Sequence, residues 1–492
     1  MGTIARTSAK PGPRVGSAAV WAYVASTGIA LVAGVLLDRF GPKPALAATI
    51  LTPLILIGIN NFKVACAGVL LLLPLVPTYL LSQSDKGISG PFVLAGALAF
   101  AALSLFFSCA LRPGKIALPR LPVIFLLYLA VVVVEAINGA QYTAQTPDYM
   151  KALAVVKDTT VGAYLRVSLV IPMLIVCAAM VAAVLSANTR NVRWILLPTL
   201  GAACILSCLV ILFTLQGGAS LSEMASVDAR RYLSGTGLHA NEIGLMMNMA
   251  LAITVSVSFC VRGWGKRLAM ACLVLMLGAT IFVTFSRGAF AGLATTLVYF
   301  ILTWGGKKKM LLPLLVLAGC VIFLTPESMI KRSSYASSAQ NLDDVSTGRV
   351  DEIWKPLIPD VLKSPVIGKG HGSLLWSDAA KDRTMLPVGH PHSAYLSALL
   401  DLGVVGTAVV LLFLVHVWRT LWDLRTRVRS ALTSAYFYGA SACVPILLVQ
   451  GMTDDTFMPR YTHSFLWIAY GAALGWLSRR GFRLAALRRR SP

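Results

Sequence analysis

Charge is the scarcest property of this sequence. Only 13% of its 492 residues are Asp, Glu, Lys or Arg, while 57% are hydrophobic, and soluble globular chains carry about a quarter charged residues. So few charges do not cover a water-facing surface, which excludes an ordinary soluble enzyme and makes lipid the main solvent. Acids are scarcer than bases, 20 against 43, for a net charge of +23. In a soluble chain that excess would suggest nucleic acid, but here the bases sit in short clusters between long apolar runs, so no nucleic-acid partner is expected. The nine cysteines all lie inside apolar runs, which excludes a disulfide framework and a structural zinc site. No G-x-x-x-x-G-K-[ST], H-E-x-x-H, G-x-S-x-G or D-x-D pattern occurs, so nucleotide-driven and metal-driven chemistry both lose ground. The adjacent pairs Asp343-Asp344 and Asp454-Asp455 have diverging side chains and make weak metal candidates.

Apolar runs are abundant. Crossing a bilayer takes roughly 20 apolar residues in a helix, because every backbone polar group must be satisfied internally. Runs near 17–37, 44–60, 64–82, 91–111, 118–138, 165–187, 193–216 and 239–261 meet or approach that length, as do those near 267–285, 288–305, 310–325, 393–416, 432–451 and 463–478. They predict an all-α polytopic bundle of 12 to 14 transmembrane helices, the short runs at 44–60 and 310–325 leaving both numbers open. Arg6, Lys10 and Arg14 resemble a signal n-region, but no A-x-A-like site follows before Asp38 and Arg39, so the first run reads as a retained span. With the N-terminus in the cytoplasm, alternate connections collect Lys63, Arg112, Arg190, Arg262, Lys307 to Lys309, Arg419 to Arg429 and the tail Arg479 to Arg490, with Asp423 as their lone acid. That side carries essentially the whole net charge and marks the cytoplasm, with both termini on it. Long connections at 139–164, 217–238 and 326–392 fall on the other side. The chain divides into N-terminal spans (1–229), central spans (230–325), a long external loop (326–392) and C-terminal spans with a basic tail (393–492).

Four features on the external side can carry chemistry. Arg287, in T-F-S-R-G-A-F beside Ser286, lies between two apolar runs; it either snorkels to lipid phosphate or forms an anion site, since Arg offers a bidentate fork. Arg349 follows Ser346, Thr347 and Gly348 and opens a segment whose Val350, Ile353, Trp354, Leu357, Ile358 and Leu362 share a helical face. That segment predicts an amphipathic helix on the membrane surface, shortened or kinked by Pro356 and Pro359. Arg349 binds an anion there or merely pairs with Asp351 or Glu352. Arg230 and Arg231 precede a Gly-containing turn leading to His239, Asn241 and Glu242, a basic pair that is either functional or a solvated turn. In G-H-P-H-S-A-Y-L-S-A-L-L-D-L-G-V-V-G, His390 and His392 precede Ser393 where a polar loop becomes a span. A neutral imidazole at that mouth can accept a hydroxyl proton near neutral pH. Gly403 and Gly406 would let another helix approach closely, and Asp401 must find a partner or water. His416 and His463 read as interface residues, and His371 as part of a Gly-rich turn.

The last feature, His392-Ser393, nine residues, Gly403, two residues, Gly406, resembles the signature of the O-antigen ligase family. Ser286-Arg287-Gly288, Gly348-Arg349 to Trp354, and Ser364 to Gly372 follow the family's order, over roughly residues 230–470. The resemblance implies a GT-C-like membrane protein of the bacterial inner membrane, with a periplasmic active-site loop containing short amphipathic helices. It implies metal-independent, inverting transfer of O-antigen glycan from undecaprenyl diphosphate to lipid A-core oligosaccharide, with no cofactor. The family's histidine falls on His392 and its arginines on Arg287 and Arg349; Arg230, Arg231, Ser286, Ser393, Asn241 and His390 are weaker expectations. A monomer in contact with membrane lipid is expected. The alternatives are an O-antigen polymerase using the same donor, a protein oligosaccharyltransferase, whose soluble C-terminal domain has no counterpart here, and a transporter of lipid-linked glycan.

Overall fold

The computed structural model describes residues 61–82, 89–111, 116–152, 160–189, 191–217, 233–303, 319, 348–381, 388–454 and 456–479. Among them every regular element is helical. The main helices are α1 (Phe62–Leu72), α2 (Gly90–Leu111), α3 (Val123–Ala140), α4 (Val161–Asn188), α5 (Arg193–Gln216), α6 (Ala240–Ser258), α7 (Trp264–Val283) and α8 (Arg287–Thr303). They are followed by α9 (Lys355–Lys363), α10 (Ala394–Arg427), α11 (Ala431–Gln450) and α12 (Ser464–Leu477). Eight of them, α2 to α7, α10 and α11, are long and apolar enough to cross a membrane. The all-helical, multi-pass class expected from hydropathy is borne out, while the expected spans at 17–37 and 44–60, and that at 310–325 apart from residue 319, lie outside the described residues.

Residues 1–65 with 99–113 form one compact unit, whose described residues belong to the start of α1 and the second half of α2. Residues 66–98 with 114–492 form the other, and it holds everything that follows. Lipid tails are as apolar as leucine, so helices in a bilayer associate through close packing and hydrogen bonds. On α12, Gly471 and Gly475 lie one turn apart, and a methyl group at either would overlap the Ala179 or Ala183 carbonyl of α4. Ser186 adds a hydrogen bond to the Ala472 carbonyl at 2.7 Å. Aromatic rings join α3, α10 and α12: Tyr128 stacks on Phe413 at 4.1 Å between centroids, with Trp467 and Tyr470 around them. Of the two histidines expected at an interface, His463 is buried in this interior, while His416 is half-buried and lies edge-on to Tyr470.

Prolines are absorbed by wide turns. A π turn at Arg166–Val170 precedes Pro172 in α4, and another at Val350–Trp354 precedes Pro356, because a wider turn makes room for a ring that lacks an N–H. The segment after Arg349 therefore runs helically through Pro359 to Lys363 rather than stopping at a proline. Its Ile353 and Leu357 enter a small core with Met150, Leu374 and Leu400, while Ile358 and Leu362 stay exposed.

Helix α10 is broken at Gly403, whose φ of 64° and ψ of −170° suit glycine alone. An unbroken helix would bond the amides of Val404 and Val405 to the carbonyls of Leu400 and Asp401. Instead Val404 and Val405 donate to Pro365 and Val366 at 2.8 and 3.3 Å, and Lys369 and Gly370 donate to Leu400 and Asp401 at 3.0 and 2.9 Å. Residues 365–370 thus form a strap that satisfies the groups orphaned by the break. The expectation that Gly403 and Gly406 admit another helix is corrected: a side chain at Gly403 would overlap the Val366 backbone, and Gly406 faces Leu402 of its own helix.

Candidate active site

The site begins where α7 turns into α8. Two residues past α7, Phe285 has φ at 43°, a left-handed conformation costly for a bulky residue, and is held there by packing on Phe282 and Phe290. That reversal lets Ser286 cap α8: its hydroxyl accepts from the Ala289 amide at 3.3 Å and donates to Asn241 Oδ1. Arg287 is then the first residue of α8, exposed at the positive end of the helix dipole. Asn241 sits in the first turn of α6, behind a capping box of His239 and Glu242, and its amide reaches the Thr453 carbonyl at 3.5 Å.

The turn after α11 supports several of these pieces. Thr453 lies so close to Gly288 that a β-carbon there would fall 2.6 Å from its hydroxyl. The Gly451 carbonyl accepts the Ala394 amide at 2.7 Å, fixing the start of α10. Ser393 caps α10, accepting from the Leu396 amide at 3.4 Å. His392, just before that cap, has φ at 52°, the second non-glycine residue with positive φ among the described residues. Its ring lies edge-on to His390 with centroids 4.0 Å apart. Strain of this kind persists only when surrounding contacts over-determine it, and it concentrates at functional sites.

Arg349 is brought to the same end of the bundle by Trp354, whose indole N–H donates to the Pro391 carbonyl at 2.9 Å. Half-buried, Arg349 is pushed below its ordinary guanidinium range by burial and by the nearby charge of Arg287. Asp351, once a candidate partner for it, pairs with Lys355 instead, and Arg349 makes no ion pair among the described residues. Two guanidinium groups that repel each other beside a helix N-terminus make an environment suited to an anion. Arg287, Arg349, His390, His392, Ser286, Ser393 and Asn241 thus gather at one end of the helices. The hydroxyls of Ser286 and Ser393 are engaged in capping, and Asn241 ties α6 to α8 and α11. Arg230 and Arg231 lie outside the described residues, as do Asp343, Asp344 and Asp455.

Residues 271–411 match the family model described as O-antigen ligase. Over this segment the chain is similar to the O-antigen ligase family. The matched segment runs from α7 into α10 and contains Arg287, Arg349 and His392. It indicates a ligase- or polymerase-type function, in a family of glycosyltransferase-like enzymes of O-antigen processing whose partners are, in general, lipid-linked glycan and lipid A-core. No curated protein matches the chain.

A second polar cluster gives Asp401 the partner its place in an apolar run requires, and joins it to two residues the sequence does not connect with it. Glu135 of α3, His371 between α9 and α10, and Asp401 of α10 bring one ligand-type atom each within 4.8 Å of one another. His371 Nδ1 meets Glu135 Oε1 at 3.0 Å and Asp401 Oδ2 at 3.9 Å. Asp401 Oδ1 accepts from the Ser373 amide at 2.9 Å and from its hydroxyl at 2.6 Å. The donor set could hold a divalent cation, and in this structure hydrogen bonds join His371 to Glu135 and Asp401 to Ser373. Burial works against a charge on His371, yet the bond to Glu135 and the charges of Glu135 and Asp401 outweigh it and raise its pKa. The signal available was a lone acid in each of two apolar runs, Glu135 and Asp401, each of which needs a partner.

Proposed function

We propose that this protein is an O-antigen ligase that moves O-antigen glycan from undecaprenyl diphosphate to lipid A-core oligosaccharide. In this reading it is a GT-C-like bundle of 12 to 14 spans in the bacterial inner membrane, with both termini cytoplasmic and the His392 end of α10 facing the periplasm. The observation that carries it is the joint placement of two mutually repelling arginines, Arg287 and Arg349, at the helix end that bears His392. A glycosyl diphosphate needs two things, a cationic cradle for the leaving group and a base for the attacking hydroxyl.

The arginines hold the diphosphate and take up charge as the bond between the anomeric carbon and the phosphate oxygen breaks. The acceptor hydroxyl oxygen attacks that carbon from the opposite face, inverting it, and its proton passes to His392. The leaving group departs as undecaprenyl diphosphate with the bonding electrons, a stable anion that requires no general acid, metal ion or nucleotide. His390, edge-on to His392, supports the orientation of the base, and Arg230 and Arg231 remain weaker candidates for the same cradle.

Reconstitution with undecaprenyl-diphosphate glycan and either lipid A-core or a lipid-linked repeat unit tests this. Glycan on lipid A-core is the expected product. Extension of the lipid-linked unit instead would make the protein a polymerase, and glycan movement between leaflets without any product would make it a transporter. Full transfer in excess chelator is expected; loss of transfer would move metal chemistry back into the mechanism.

A further inference from the structure

We propose that His371, clamped between Glu135 and Asp401, is a positioning residue that locks the 365–370 strap into the break of α10 and thereby aims His392. This rests on the functional reading above for its catalytic consequence but not for its structural one.

Without the strap, four backbone groups around Gly403 would be orphaned in a low-dielectric setting, each costly to leave unsatisfied. The strap supplies their partners through Pro365, Val366, Lys369 and Gly370. Gly368 and Gly370 allow that approach, since a side chain at Gly368 would overlap the Asp401 backbone and one at Gly370 the backbone of Gly139. Side chains then pin the strap's end: Asn138 donates to the Gly368 carbonyl at 3.2 Å, Tyr164 donates to the His371 carbonyl at 3.1 Å, and Ser373 binds Asp401. His371 bridges α3 and α10 at the centre of these contacts.

The strap is continuous with both halves of the candidate site. Upstream it is the C-terminal end of α9, whose preceding turns carry Arg349 and Trp354. Across the break it holds the first turns of α10, which begin just after His392. Fixing the strap therefore fixes two catalytic groups from one point about 13 Å along α10 from its start, at 1.5 Å per residue. A single imidazolium between two carboxylates is suited to this, because each ion-pair partner sits on a different helix. The charged and titratable groups facing it are Glu135 on α3, Tyr164 on α4, Asp401 on α10 and Arg460 before α12, whose charge opposes that of His371.

The clamp is intact while His371 is protonated and is lost as pH rises through its raised pKa, which places a limb on the alkaline side of the activity profile. Asp401→Asn removes one supporting carboxylate and moves that limb down by about one pH unit.

The test uses the full chain in lipid nanodiscs. In His371→Gln, and in Glu135→Gln should the first fail to fold, amides 369–370 and 404–405 are expected to exchange hydrogen roughly tenfold faster or more. In the same variants kcat for transfer falls roughly 10- to 100-fold while the donor KM stays within about threefold, because the diphosphate cradle is retained. Unchanged exchange at those amides overturns the clamp, as does a drop in rate with the alkaline limb unmoved in Asp401→Asn. Faster exchange in a chain that shows no transfer in any form supports the clamp and overturns the functional reading alone.

Discussion

Replacing Arg349 by Met should make the ligand-free protein more stable while damaging its use of donor. The substitution keeps an unbranched aliphatic side chain and removes the guanidinium, which burial and Arg287 both disfavour. For two unit charges about one Debye length apart, roughly 8 Å, Coulomb's law gives roughly 2 kcal/mol at an effective dielectric of about 20 and roughly 0.5 in water. Salt screening at a half-exposed site trims the relief to about 0.5–1 kcal/mol. In a chain of this size that is a rise of about 1–2 °C in Tm. Loss of one charge-assisted fork to a diphosphate costs about 1.5–3 kcal/mol, or roughly 10- to 100-fold in donor KM. Arg349→Lys should keep the repulsion and recover only part of the donor binding, since an ammonium lacks the planar fork. The assay pairs thermal unfolding in nanodiscs with transfer kinetics over a donor titration. Arg349→Met that is less stable without donor, or that transfers glycan at normal KM, would refute the reasoning that these arginines form an anion site.

The remaining predictions follow from other contacts. Trp354→Phe keeps the ring and loses the bond to Pro391, and should cost about 1 kcal/mol of positioning, seen as a fall in kcat of roughly fivefold. Gly471→Leu on α12 forces α4 away and should cost about 1–3 kcal/mol or more, read as a lowered Tm and loss of monodisperse protein in size-exclusion chromatography. Gly403→Ala puts a β-carbon into the strap and should lower kcat along with protection of amides 404 and 405.

How much of this was legible in the sequence varies with the range of the interaction. Helix α5 occupies residues 193–216, the same bounds as its apolar run, because a spanning helix must satisfy its backbone locally and hydropathy reports on that. The candidates Arg287, Arg349 and His392 were legible too, as charges or motifs at junctions between polar and apolar segments. The break at Gly403 was not: the run across it is continuously apolar, and the partners that make a broken helix tolerable come from residues 365–370, more than thirty positions upstream. Glu135 and Asp401 each signalled a need for a partner, but their meeting at His371 is a tertiary fact. The left-handed backbone at Phe285 and His392 was equally silent, since glycine, not phenylalanine or histidine, is the residue that announces such a conformation.

The central claim is that His392 takes the acceptor's proton. The most direct measurement is single-turnover transfer by His392→Ala in proteoliposomes preloaded with donor, with donor occupancy measured separately by photocrosslinking. The account predicts full donor occupancy and a rate lowered by roughly 10²- to 10⁴-fold. Transfer at a near-normal rate by that variant would contradict it.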